Sequence, residues 1–426
     1  SVIFPGQGSQ MVGMGKEFYD KFDLVKNLFK EADESLNYPL SKIILDGPKE
    51  ELDLTANTQP AIFLISYAIF NVVKKEFNID LNKAKYFAGH SLGEYSALSC
   101  GGYLPFSETL KILRIRGDAM QNSVPKGEGG MVAVLGSTVE IIEQVLEEND
   151  QNFKAQIAND NSEGQIVLSG QIKDLDKLII ILKEKSIKNI KLPVSAPFHC
   201  SLMSKATQVM TVELNKLNFL QSEIKLISNV TAEEITNIDK LKNLLIKQIE
   251  NRVRWRESVI NMINNNVDHF IEIGPGKVLS GLVKRINKDV KIDTINNQED
   301  IKTRELSEPK VKSYVAKAVL RDPTIKKSLQ SIYLARLKVD SIEADKNTKL
   351  MASGSAGFLD EYETESRDVA FGTIRADRLI DDNNQLSNSI RIGEINTEIG
   401  IATFDLEINN SLHNISPIEF MASALA

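Results

Sequence analysis

Along roughly the first 300 residues, short unbroken apolar runs alternate with longer stretches whose apolar positions recur at helical spacing. Val2-Ile3-Phe4 is such a run, and it breaks at Pro5-Gly6-Gln7-Gly8-Ser9-Gln10. A short buried strand followed by a glycine-rich loop is expected there. Helical spacing then predicts a helix over 17–36. A second helix over 61–74, opened by Thr58-Gln59-Pro60, is apolar on every face and so is expected to be buried. Residues 84–88 read as another short buried strand. Leu92, Tyr95, Ser96 and Leu98 begin a helix rich in small residues, and Phe106–Gln121 forms the next.

Beyond a glycine joint at 127–130 the pattern gives a strand (131–135), a helix (141–148), two strands (155–159 and 165–169), a helix (175–185) and a strand (190–194). That order, βαββαβ, predicts a ferredoxin-like subdomain inserted in a larger α/β body. The larger body resumes with a helix at 202–217, a strand at 225–228, a helix at 241–249 and a strand at 270–273. A last amphipathic helix, Val278–Ile286, is expected to close it. From about Thr303 the character changes: helical spacing at 314–320 and 325–337, a Ser/Gly linker at 353–357, then alternating strand-like segments. This predicts three parts: 1–126 with 196–302, 127–195, and an α+β tail at 303–426 of unknown fold with no catalytic constellation.

Chemistry enters at Gly89-His90-Ser91-Leu92-Gly93, a Gly-x-Ser-x-Gly between a predicted strand and a predicted helix. Such a nucleophile elbow strains the serine backbone so that the hydroxyl stands exposed, and its glycines let neighbouring backbone approach. A serine needs a base, and four histidines are available. His90 adjoins Ser91 on a sharp turn and should point away; His269 starts a buried strand; His413 lies in the tail. His199, in a polar loop after a proline, is the candidate base. The N–H of Leu92 is the expected first oxyanion donor, and the loop at Gln7 the source of the second. Arg116, whose helical surroundings Ile112, Leu113, Ile115 and Met120 are apolar, either snorkels to solvent or presents its fork to a carboxylate.

Composition narrows the partners. A net charge of −7 argues against nonspecific nucleic-acid binding. Two cysteines without a Cys-x-x-Cys pair exclude a disulfide framework and give no zinc pattern. No apolar run reads as a membrane span, and the first residues enter a motif directly, which leaves no room for a signal peptide. A cytoplasmic protein is expected.

The loop at Pro5–Gln10, the elbow, Arg116-Gly117 with Met120, Gly129-Gly130-Met131, Ala158-Asn159, Pro197-Phe198-His199-Cys200, Ser228-Asn229-Val230 and Glu272-Ile273-Gly274-Pro275-Gly276 occur in order. Together they closely resemble the bacterial malonyl-CoA:acyl-carrier-protein transacylases of fatty acid synthesis, over about 1–300. The resemblance implies an α/β-hydrolase-like large subdomain with a ferredoxin-like insertion. It also implies ping-pong transfer from a coenzyme A thioester to acyl carrier protein, without metal or bound cofactor. By matching position, Ser91 would be nucleophile and His199 base. Arg116 would bind the malonyl carboxylate, Gln7 and Leu92 would form the oxyanion hole, and Met120, Phe198 and Asn159 would line the pocket. The main-chain carbonyl of Arg254, where relatives carry glutamine, would orient His199. Two other classes remain open from sequence: a serine thioesterase or related hydrolase, and a noncatalytic scaffold that docks carrier protein while the tail acts.

Overall fold

The computed structural model describes residues 1–305, apart from Asn152 and Ser195. Residues 1–305 form one compact unit. The predicted elements of the tail, and His413, lie outside the described residues. Eight strands are present among the described residues: β1 Val2–Phe4, β2 Phe87–Gly89, β3 Gly129–Leu135, β4 Ala155–Ser162, β5 Gln165–Gln171, β6 Lys188–Lys191, β7 His269–Ile273 and β8 Lys291–Ile295. They make two sheets, ordered β2-β1-β7-β8 and β4-β5-β3-β6.

In the first sheet all neighbours run parallel, so their connections must cross over through helices. β1 and β2 are apolar and fully buried, as expected of a sheet covered on both faces. Segment 225–228 does not become a full strand. Leu226 makes one parallel bridge to Phe87 and Ile227 an antiparallel one to Glu234, because the chain turns back after two residues. Helix Val278–Ile286 forms as predicted but does not close the body. β8 pairs with β7 over five residues, and helix Gln298–Glu305 follows with Ile301 fully buried.

In the second sheet every pairing is antiparallel, with the helices Val139–Glu148 and Ile172–Glu184 as the two crossovers. Element order and strand order both follow the ferredoxin-like pattern. Gly129 and Gly130, expected to be a joint, instead open β3.

Two helices near the amino terminus differ from expectation. The stretch 17–36 is two helices, Lys16–Lys21 and Asp23–Leu36, separated by an extended Phe22 whose ring stacks on Phe18 and meets Phe77 edge-on. The apolar helix runs Thr55–Lys75 and contains Pro60. Proline removes the bond to the carbonyl four residues back, and Arg114 Nη1 donates to that carbonyl, Ala56 O, at 3.3 Å. By length and apolarity this helix could cross a membrane, which corrects the expectation from sequence. However, 94% of its apolar window is buried inside the fold, as befits a core helix.

Candidate active site

The elbow is forced by packing on both sides. A Cβ at Gly89 would lie 1.9 Å from the Gly93 carbonyl carbon, and one at Gly93 would lie 2.3 Å from Phe4 O. Only glycine lets the turn fold back this tightly against the end of β1. Between them Ser91 takes φ +54°, a left-handed backbone that is strained for a side-chain-bearing residue. Asn229 holds the strained peptide: its Oδ1 accepts from the Ser91 N–H at 2.7 Å, and its Nδ2 donates to Gly89 O at 2.7 Å.

His199, also at positive φ (+58°), is buried in the loop after Pro197. Its Nε2 lies 2.8 Å from Ser91 Oγ and its Nδ1 lies 2.8 Å from the main-chain carbonyl of Gln248. A carbonyl only accepts, so Nδ1 carries the proton and Nε2 presents its lone pair to the hydroxyl. Burial, followed by the neighbouring Arg116 charge, lowers the His199 pKa to about 3.

The orienting carbonyl therefore belongs to Gln248 and not to Arg254. Gln248 ends helix Ile238–Gln248, where a carbonyl has no later turn to bond. Arg254 precedes helix Trp255–Asn264, so its carbonyl is taken by the Ser258 N–H and Oγ, at 2.9 and 2.7 Å. The Arg254 guanidinium meets Glu257 at 3.1 Å.

Arg116 does not snorkel. It is 0% exposed, with Nη1 donating to Gln59 Oε1 at 2.7 Å and Nη2 donating to Gln248 Oε1 at 2.8 Å and to Ser91 Oγ at 3.2 Å. Its plane lies 5.5 Å from the Tyr95 ring centroid, and its Nε has no partner among the described residues. A buried cation held by neutral amides, with no carboxylate bonded to its fork, keeps its charge available to an incoming anion. Burial lowers its pKa from the ordinary arginine value.

Leu92 and Gln7 stand as expected beside the elbow. A Cβ on Gly6 would lie 2.5 Å from His90 O, which sets the loop holding Gln7 against the turn. Gln7 Nε2 reaches Thr55 Oγ1 at 3.3 Å, and among the described residues neither the Leu92 nor the Gln7 main-chain N–H is given to a protein acceptor. Met120 is buried and its sulfur accepts from Gln59 Nε2 at 3.7 Å, one step from Arg116. Phe198 is buried beside His199. Asn159 is bridged through its backbone to Val253 and makes no hydrogen bond to Ser91 or His199. His90 points away, its Nε2 bonded to Asn161 Oδ1 at 2.8 Å and its ring 5.8 Å from Trp255. His269 pairs with Asp293 at 2.6 Å, at the start of β7 and apart from Ser91 and His199.

Three residues outside the predicted site prove central. Asn229 clamps the elbow, Gln248 joins His199 to Arg116, and Glu94 accepts from both the Asn229 N–H and Gln248 Nε2. Burial raises the Glu94 pKa to about 7, against the pull of its bonds to Gln248 and the Asn229 N–H and of the Arg116 charge. Asn229 and Glu94 lay inside recognised motifs without an assigned role. Gln248 had no local signal, because its helix shows only ordinary amphipathic spacing.

The profile of the family described as "Acyl transferase domain" matches residues 2–335, some way into the tail. The chain is 43% identical over 301 residues to the malonyl CoA-acyl carrier protein transacylase of Bacillus subtilis (strain 168), covering 70% of this chain and 94% of that protein. It is 37% identical over 295 residues to the protein of the same name from Escherichia coli (strain K12), covering 69% and 94%. Among solved structures, an acyl-carrier-protein-S-malonyltransferase from Bartonella henselae superposes with a TM-score of 0.69 at 41% identity, over 71% of this chain and 97% of the other. A malonyl-transacylase in complex with its type II PKS acyl-carrier protein superposes with a TM-score of 0.68 at 35% identity, over 71% and 97%.

Proposed function

This chain belongs to the acyl transferase domain family, and on that premise we propose that it moves the malonyl group from malonyl-CoA to the phosphopantetheine thiol of acyl carrier protein, through a malonyl ester of Ser91. His199 Nε2 takes the Ser91 proton as Oγ attacks the thioester carbonyl. The N–H groups of Leu92 and Gln7 receive the oxyanion. As the tetrahedral adduct collapses, the C–S bond breaks and His199 returns the proton to the departing coenzyme A sulfur. The carrier thiol then loses its proton to His199, attacks the ester, and Ser91 leaves as the hydroxyl. Proton and leaving group balance in each half, and no metal or bound cofactor is required.

The observation that carries this reading is the buried Arg116 fork at 3.2 Å from the nucleophile, without a carboxylate bonded to it. A bidentate pair to the malonyl carboxylate fits there, and acetyl-CoA lacks the partner. The hydrolase alternative fits less well, because elbow hydrolases orient the base with a carboxylate and here a carbonyl does so. Met120 and Phe198 are proposed to shape the acyl pocket, and Asn159 to border it. We extend the proposal to a large subdomain of 1–126 and 196–302 around the insertion 127–195, and to a cytoplasmic setting where both acyl carriers occur.

Incubation with malonyl-CoA and carrier protein whose phosphopantetheine thiol is free, followed by intact-mass measurement of both proteins, tests the reading. A malonyl adduct on Ser91 that passes to the carrier is expected. Release of free malonate with no carrier adduct would instead make the protein a hydrolase.

A further inference from the structure

Glu94, in the first turn of helix Gly93–Cys100, is a carboxyl 1% exposed that the proposed mechanism leaves unused. Its Oε2 accepts from Gln248 Nε2 at 2.6 Å and from the Asn229 N–H at 3.2 Å; its Oε1 is buried with no partner among the described residues. The two ends of a glutamine amide have nearly the same shape, so its neighbours decide which end faces which way. Here the neighbours are opposed. The bonded carboxyl oxygen of Glu94 takes only a donor, and the guanidinium of Arg116 takes only an acceptor. Gln248 therefore turns its Nε2 to Glu94, its shortest bond, and to the more distant Ser91 O at 3.1 Å and Asn229 Oδ1 at 3.4 Å, and its Oε1 to Arg116 Nη2 at 2.8 Å. A reversed amide would set NH2 against a guanidinium on one side and oxygen against oxygen on the other.

We propose that Glu94 is a positioning residue for acyl selectivity: by fixing the Gln248 amide it fixes the Arg116 fork over Ser91, and so sets the preference for a carboxylated acyl group. The inference rests on the reading of Arg116 as the carboxylate clamp. Without Glu94, Gln248 Nε2 loses its shortest bond and keeps only those to Ser91 O at 3.1 Å and Asn229 Oδ1 at 3.4 Å. Where the loosened amide turns away, Nη2 keeps only the Ser91 hydroxyl at 3.2 Å, while Nη1 remains on Gln59. His199 is less affected, because it uses the Gln248 main chain, which the helix holds. The groups that face Glu94 electrostatically are Arg116 and Tyr95. Burial favours the neutral acid, which still offers Oε2 as acceptor, and a glutamine reproduces that form.

The experiment compares acylation by malonyl-CoA and by acetyl-CoA in the full chain and in Glu94→Ala, Glu94→Gln, Gln248→Met and the Glu94→Ala/Gln248→Met double variant, each first checked for cooperative unfolding. The malonyl-to-acetyl ratio of kcat/KM is expected to fall on the order of 10-fold in Glu94→Ala, mainly through KM for malonyl-CoA. In Glu94→Gln it is expected to return to within about 3-fold of the parent. The double variant should discriminate no worse than Gln248→Met alone, since both changes release one amide. An unchanged ratio in Glu94→Ala, or additive losses in the double variant, would overturn the proposal. If Glu94→Ala does not fold, a Glu94→Gln ratio as low as that of Gln248→Met overturns it equally. Failure of the underlying reading looks different: the parent itself would not discriminate, or its discrimination would survive Arg116→Ala.

Discussion

The Ser91 hydroxyl meets His199 and Arg116 at once, so substitutions at the three should separate by step. Ser91→Ala is expected to abolish the acyl-enzyme, read by intact mass, while the unfolding transition stays cooperative, since only a hydroxyl is lost. Arg116→Ala should cost malonyl transfer about 2–5 kcal/mol if the substrate carboxylate then lies buried and unpaired, with acetyl transfer far less affected. Steady-state kinetics with both thioesters checks this. The buried titrations give a pH prediction with opposed signs. His199 titrates near 3 in the fold against 6.5 ordinarily, so its contribution to stability is present above 6.5 and lost as pH falls. Glu94 titrates near 7 against 4.5, so its contribution is present below 4.5 and lost as pH rises through 7. Between 4.5 and 6.5 the folded pair holds one proton, on Glu94, and the unfolded pair also holds one, on histidine. Their joint effect is therefore flat in that window, whereas Glu94→Gln should leave a stability that falls on acidification. Urea midpoints across the window measure the difference.

Elements were legible where the local pattern alone decides them. Phe106–Gln121 and Val278–Ile286 came out to the residue, and the βαββαβ order followed from periodicity. The failures have long-range causes. Phe22 breaks a helix because its ring has partners at Phe18 and Phe77, the latter 55 positions away in sequence. Pro60 stays helical because Arg114, from another helix, takes up the freed carbonyl. β8, Lys-Ile-Asp-Thr-Ile, is half polar and becomes a strand through pairing with β7. In the site, Ser91, His199 and Arg116 were readable because motif position names them. Gln248 was not, because its role comes from where its helix ends. The same contrast governs glycine. In helix Val278–Ile286, Gly281 is exposed and an added Cβ would meet nothing within 4 Å. Gly281→Ala should therefore stabilise by about 0.5–1 kcal/mol, measurable by denaturant titration. Gly117→Ala should destabilise by about 1–3 kcal/mol, since its Cβ would fall 2.5 Å from Thr55 O where two helices cross.

At the scale of the molecule, charge is unevenly spent. Arg252, Arg254 and Arg256 pair with Glu143, Glu257 and Asp160. Among the described residues Lys277 and Lys284 make no ion pair, and Arg285 bonds the neutral Gln165. For an enzyme of net charge −7 meeting a carrier protein, these exposed cations in and just before helix Val278–Ile286 are the better candidates for a docking patch. Reversing Lys284 and Arg285 should slow transfer to the carrier far more than acylation by malonyl-CoA. Added salt should act on the parent in the same selective way, because exposed charges are screened over about 8 Å. Stopped-flow measurement of the two half-reactions separates these effects. Chain truncated after Glu305, or after Ala335 where the family match ends, should retain acylation. Truncation before Gln298 should not, since it removes Ile301 from the core. The parallel sheet has a consequence for how the chain is made. Its first strand lies between β2 and β7, so one edge of β1 waits for residues some 270 positions later in synthesis. Meanwhile Thr55–Lys75 emerges from the ribosome long enough and apolar enough for a bilayer, ahead of the helix Phe106–Gln121 that packs on it. The nascent chain thus passes through an interval in which a segment destined for the core is competent for the membrane, and its shielding there is a task for chaperones rather than for the native fold.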